Sequence, residues 1–534
     1  MKLQNEEMIL TEEFRASVIE EIEGDENQKR KQSMKKRYDV FKDNTKKYVW
    51  EMMKEESEEQ QVIDEIKNRT ANISFLRKII DKKAMVYKDG VKREIVGNEE
   101  DQLKIDVLVD LLNFNSQMKK ANKYAELFKN AAVQVMPYQD KVTQKYAYKV
   151  NVLQPYLYDV IEDADNPEKP LVYIFSYYNP RLQDKEYAPP HKSGFREFEG
   201  KNTQSFRAGD GFDQTIADSP DDFGIENKEY VWWSHHYHFT TDSKGEIVSG
   251  KQGDDLRNPI GMLPFYNISQ DQDGQFWAVG GEDIVDGSIL LNVLLTDLYY
   301  IAKYQGMGIG YMFGKGVPKN MKVGASSFVS LEVEEGDPTP SIGFATSNPP
   351  IQAHLEMIEK YAAFLLSTNN LEPGTVQGQL SAAGAQSGIQ EMVRRAENID
   401  DIVDQQEAYK DGEPVIFELI RRWHNLYFEK GLLKDTLMSL GRLPEVLDLS
   451  IKFPQPQPFQ TEAEKLDIIE KRMGLGLDSL VDAFLRDNME LTREEAEEKA
   501  RLMFEEKLKE SSQRLKMFEM ESNDGEQGDV QDQT

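Results

Sequence analysis

Three stretches of this chain bring chemically capable side chains close together, and each fails on its spacing. The run Gly310-Tyr311-Met312-Phe313-Gly314-Lys315-Gly316 approaches the pattern of a phosphate-binding glycine loop. Such a loop cradles phosphates with backbone N–H groups, reaches them with a lysine and holds magnesium with a Ser or Thr hydroxyl. Here the glycine spacing is one residue short and Gly316 stands where the hydroxyl is needed, so the run reads as a turn. His235, His236 and His238 lie in Trp232-Trp233-Ser234-His235-His236-Tyr237-His238-Phe239. On one continuous strand His236 and His238 share a face and could take a metal. No third ligand stands nearby in sequence, and a partly buried aromatic strand is the reading adopted. Asp271-Gln272-Asp273-Gly274 lacks the later acidic positions of a calcium loop and reads as a hairpin turn. No nucleophile elbow, zincin helix or dinucleotide fingerprint occurs, and zero cysteines remove thiol catalysis, thiolate metal sites and disulfides together. The expectation is a chain with no catalytic residue, no cofactor and no metal.

The totals narrow the class further. The chain has 534 residues, 39% hydrophobic and 30% charged, enough for several subdomains around a substantial core. A formal charge of −30 argues against gripping nucleic acid by neutralising phosphates, because such surfaces are basic. It is compatible with letting DNA pass without sticking. Met1–Glu23 is acidic without an apolar core, so no secretory signal is expected. The most apolar run, Ile284–Ala302, is broken by Asp286 and Asp297, and no membrane span is expected.

The elements that must position any site are legible from period and punctuation. Residues 1–67 read as helices with a break at Gly24-Asp25, and the basic cluster Lys29-Arg30-Lys31 with Lys35-Lys36-Arg37 reads as a solvated face. Asn72–Tyr87 reads as a helix with Phe75, Ile79, Ile80 and Val86 inward. From Ala131 to Asn267 the period becomes two, giving strands at 133–137, 146–152, 156–161, 171–178 and 230–240. Asn179–Gly224, rich in Pro, Gly, Asp and Ser, reads as an insertion or mobile loop. Asn258-Pro259-Ile260-Gly261-Met262-Leu263-Pro264 is a stiff, sharp turn. A helix over Ile284–Gly306 precedes a β-rich excursion, Met307–Pro350, and a second helix, Ile351–Asn369. Glu372–Gln386 is neutral beyond its first residue and carries Gly374, Gly378 and Gly384, so it reads as a loop. A long helix, Ser387–Lys430, follows, which Gly412 and Pro414 must kink or interrupt. A strand over Glu445–Phe453, a Pro-rich connector at 454–458, a helix over Ala463–Met473 capped by Thr461, and helices at 479–488 and 492–518 complete the chain. The acidic tail Glu521–Thr534 is expected to be disordered.

Two helices flanking a small β module, then a glycine loop and a long helix, is an order that resembles the portal (head-to-tail connector) proteins of tailed bacteriophages. The Asn258–Pro264 turn is similar to the Asn-Pro-Leu-Gly-x-Ile-Pro turn before the stem of that family, and the Asn-led helix at 72–87 resembles another of its patterns. The resemblance covers roughly residues 70–520. It implies an α+β fold with a mixed wing at 68–282 and 387–460, stem helices at 283–306 and 351–371, and a clip at 307–350. It further implies a tunnel loop at 372–386 and a helical crown at 461–520, after an N-terminal helical region at 1–67. The implied function is a ring, usually of twelve subunits, at one capsid vertex, through which double-stranded DNA is packaged and ejected without sequence specificity. Implied partners are the chain itself, the terminase large subunit, head-completion or adaptor proteins, and the major capsid and scaffolding proteins. The implied setting is the virion, and the host cytoplasm during assembly. Gln377, Gln379, Ser381 and Gln386, with Gly374, Gly378 and Gly384, would face DNA, and Lys315, Lys319 and Lys322 of the clip would meet docking partners. The alternative is a structural or scaffolding assembly protein of a virion without a channel.

Overall fold

The computed structural model describes residues 2–3, 5–56, 69–88, 90–95, 99–178, 228–248, 256–269, 274–278, 280–307, 309–313, 341–345, 351–371, 388–454, 462–487, 493–506, 509 and 512. In chain order, β1 is Lys2–Leu3, α1 Glu12–Glu23, α2 Asp25–Phe41, α3 Lys46–Glu56, α4 Phe75–Lys83, β2 Lys92–Ile95, α5 Glu99–Leu111 and α6 Phe114–Phe128. Next come β3 Asn130–Gln139, β4 Tyr146–Leu153, β5 Asp159–Asp163, β6 Pro170–Tyr178, β7 Lys228–Ser234, β8 His238–Thr241 and β9 Phe265–Ser269. Then follow α7 Glu282–Met307, β10 Ile309–Phe313, β11 Ser341–Ala345, α8 Ile351–Ser367, α9 Gly388–Glu429, α10 Asp435–Met438, β12 Leu449–Lys452, α11 Glu462–Gly474 and α12 Leu480–Asp487. Helices and sheets are segregated, an α+β arrangement. The chain divides into two compact units, one of residues 1–88, 94–382 and 397–450, the other of 89–93, 383–396 and 451–534.

In the first unit, alternation along the strands builds a two-sided core. The sheet β1-β5-β6-β7-β8 is antiparallel except where β1 joins β5. Val172, Ile174, Tyr230 and Trp232 meet Val18, Ile19 and Ile22 of α1 in one apolar cluster. Tyr173, Phe175 and Trp233, one residue out of phase, meet Phe265 of the three-stranded sheet β4-β3-β9. That second sheet receives the end of α9, where Trp423 Nε1 donates to the Val135 carbonyl at 2.9 Å and Tyr427 stacks on Tyr146.

Three expectations are corrected. The strand expected over 230–240 is two strands, β7 and β8. The Ser234 hydroxyl accepts from the Tyr237 N–H at 2.8 Å, and the Ser234 N–H bonds the Tyr237 carbonyl, which closes a tight turn. The cluster at 29–37 is a solvated face only in part: Lys29 is exposed and Lys36 pairs with Asp286 at the surface. Arg30 and Lys31 both pair with Asp159, whose side chain is 1% exposed, at 2.7 and 2.5 Å, and Arg37 is buried against Met34 on the same stripe of α2. Finally, of the kink or interruption expected at Gly412 and Pro414, the interruption does not occur, since α9 runs unbroken from Gly388 to Glu429. Gly412 is there for space: a Cβ would stand 2.5 Å from the Tyr266 ring of β9.

Helix ends follow the αL rule. Asn370, at φ 58°, ends α8 with its N–H on the Ser367 carbonyl and the Leu371 N–H on the Leu366 carbonyl. Gly431 ends α9 in the same way. In the second unit Gly476 ends α11, with the Leu477 N–H on the Arg472 carbonyl and its own on that of Met473. Ser479 then caps α12 reciprocally with Asp482.

Candidate functional site

The region the sequence singles out is built on α7 and α8. Gly287 lies against Leu365 and Tyr361, and Leu291 packs with Ala362 and Leu365, so the two helices run antiparallel. Close approach needs Gly287, since a Cβ there would lie 2.8 Å from a Leu365 methyl. At their far ends β10 leaves α7 and pairs antiparallel with β11, Ile309 opposite Ala345 and Phe313 opposite Ser341. The pair is thus the root of the 307–350 excursion.

A polar stripe fixes α7 on its other side. Ser288, Asn292 and Thr296 stand four residues apart and are buried. Asn292 accepts from the Ile73 N–H at 2.7 Å and donates to the Ile73 carbonyl at 3.1 Å, as a neighbouring strand would. Thr296 accepts from the Ala71 N–H at 2.9 Å. Ser288 and Thr296 return their own protons to carbonyls one turn back, so the stripe is satisfied.

Helix α8 is apolar on two faces. Ile358, Ala362 and Leu365 face α7, while Met357 and Phe364, two turns apart on a neighbouring flank, are 45% and 68% exposed. A groove of about 520 Å³ beside Phe364 is lined by Met52, Leu290 and Tyr361, with Asp283 and Asp286 at its lip. Helical spacing in the sequence puts Leu355, Ile358, Ala362 and Leu365 on one face, of which Leu355 stays 36% exposed. The signal for the second was the seven-residue spacing of Met357 and Phe364.

Several sequence-predicted residues lie outside the described residues: Gly374, Gln377, Gly378, Gln379, Ser381, Gly384 and Gln386 of the loop, and Lys315, Lys319 and Lys322 of the excursion. So do residues 179–224, Asp271–Asp273, Thr461, the connector from Gln455 to Pro458, and the tail. The histidines are separated by the Ser234 turn. Exposed His236 pairs through Nδ1 with Glu6 at 2.5 Å, and His238 is stacked on Trp233 with its Nδ1–H on the Trp232 carbonyl. Burial holds His238 down at about 4, uncharged at neutral pH. Among the described residues no group of three His, Cys, Asp or Glu is placed to hold a metal ion.

Neither a protein family nor a curated protein matches this chain. Among the described residues one helix, Glu282–Ala302 within α7, is long and apolar enough to cross a membrane, and half of it is buried inside the protein.

Proposed function

We propose that this chain is a portal subunit: a ring-forming channel protein of a tailed-phage capsid vertex, with no catalytic activity of its own. In this reading α7 and α8 are the stem, β10 and β11 the root of the clip, residues 372–386 the tunnel loop, α9 the wing's spine and the 461–520 region the crown. The observation that carries it is the second apolar face of α8. A helix apolar on two faces belongs between two partners; among the described residues α7 covers one face, and Met52 of α3 borders the other, which stays exposed. A copy of the chain docking there, repeated around an axis, closes a ring by head-to-tail contacts. Against such a ring the net charge of −30 per subunit keeps DNA phosphates from being trapped, since a channel of like charge repels them. Terminase would dock at the clip, Lys315, Lys319 and Lys322 included, and adaptor proteins would follow it after packaging.

Electron microscopy of the purified full-length chain tests this. Rings with a central hole are expected, and Phe364→Asp, which places a charge on the exposed face of α8, should leave folded single subunits. Compact particles without a hole would instead favour an assembly protein without a channel, and would overturn the reading.

A further inference from the structure

The two halves of α9 are held by different chemistry. After Pro414 the helix is locked by Ile416, Leu419, Ile420 and Trp423, all fully buried. Before Gly412 its inward face is mixed and more polar: Asp401, Gln405 and Tyr409 stand one turn apart, with Ile402 and Gln406 buried beside them and the Tyr409 ring edge-on to Tyr87. The surfaces they meet repeat at the same interval, with Lys83 at the end of α4, Tyr87 in the turn after it, and Asn122 and Glu126 on α6.

Lys83 Nζ lies 3.4 Å from Asp401 and 3.6 Å from Glu126, with 9% of its side chain exposed. Asn122 donates to Gln405 Oε1 at 2.9 Å, while the Gln405 Nε2 is buried without an acceptor. Such a seam forfeits less on opening than an apolar one, because its ion pair and amide bond are replaced by hydration and only Ile402 and the Tyr409 ring give up apolar burial. An apolar seam has no such replacement. Between the halves, Pro414 has no N–H to give the Lys410 carbonyl, so the helix lacks one rung there. The Tyr266 ring against Gly412 and the bond from Tyr87 Oη to buried Glu413 at 2.7 Å hold the joint itself in place.

We propose that residues 397–411 open from α4 and α6 as a unit about Gly412–Pro414, with Lys83, Glu126 and Asp401 as the latch. Helices with a missing rung bend where the rung is missing, and local opening runs along the least apolar seam. This device stands on the described residues and does not depend on the ring reading.

Hydrogen exchange read by mass spectrometry on the full-length chain tests it. Asp401→Asn removes one latch partner at a site already 27% exposed, so the fold survives. Exchange over 397–411 should quicken by about tenfold while 416–428 is unchanged. Pro414→Ala restores the rung, and in that background the Asp401→Asn effect should shrink or spread across the joint. Lys83→Met, which removes both pairs, should exceed Asp401→Asn. Equal acceleration on both sides of Pro414, or none over 397–411, overturns the proposal.

Discussion

Helix α2 carries several ion pairs, and two sites among them that differ in burial give a sharp test of what holds the first unit together. At one, Asp159 faces Arg30 and Lys31, with the three side chains 1%, 15% and 14% exposed. At the other, Asp286 faces Lys36 with 58% and 35% exposed. Burial pushes the Arg30 guanidinium pKa down, and Asp159 draws it back up. Replacing Asp159 by Asn keeps the shape and strands two cations in a dry site. Breaking a buried pair costs about 3–5 kcal/mol. Arg30 keeps its bond to the Pro155 carbonyl and its seat 3.8 Å over the Trp277 ring, which places the expected cost at the lower end. Asp286→Asn should cost under about 1 kcal/mol, because water screens that pair. Exchange protection of α2 and β5 should therefore fall by a hundredfold or so in the first variant and by fivefold at most in the second. Matching small losses would refute the reasoning and restore the solvated-face reading of residues 29–37.

The other predictions rest on single contacts. His238 is neutral in the fold at about 4 and titrates near 6.5 when unfolded, so the unfolded chain binds the extra proton between those values. Stability should fall as pH drops from about 6.5 to 4, by roughly 3 kcal/mol at most from this group, and thermal melts of His238→Phe should show a flatter slope than the parent. Burial lowers the values of His235 and His424 too, so part of the slope should survive. Gly412→Ala should destabilise, since overpacking against Tyr266 costs about 1–3 kcal/mol and the gain in helix propensity is only about 1. In a Tyr266→Ala background the same change should become stabilising, and a melt showing no such sign reversal would remove the packing explanation.

What the sequence disclosed depended on whether a signal was local. Period two marked β3, β4 and β6 because alternate residues face different neighbours. The 230–240 run kept its alternation through Ser234, so the turn, made by a side-chain oxygen, was invisible to periodicity. Charges at 29–37 looked solvated because their partner, Asp159, is far along the chain. Gly412 was read as a helix breaker, since nothing in its neighbourhood names the Tyr266 ring it must accommodate. Helices α7 and α8 were readable from two helical periods around a β excursion, whereas the polar clamp on α7 through Asn292 was not.

That clamp bears on how α7 is to be understood. A helix of this length and apolarity is compatible with a lipid environment or with a packed interior, and composition does not separate the two. The side chains do part of that work. Ser288, Asn292 and Thr296 fall on one stripe, and Asn292 bonds both backbone groups of Ile73 while Thr296 bonds that of Ala71. Leu291 packs on Ala362 and Leu365 of α8. The helix is therefore engaged by protein through a polar stripe and an apolar one, and neither contact survives if it leaves its unit. Its buried apolar residues are explained by α8, and unexplained apolar surface remains on α8 itself, at Met357 and Phe364. On α7 itself Tyr299 is likewise 55% exposed, so exposed apolar surface is shared by the two helices.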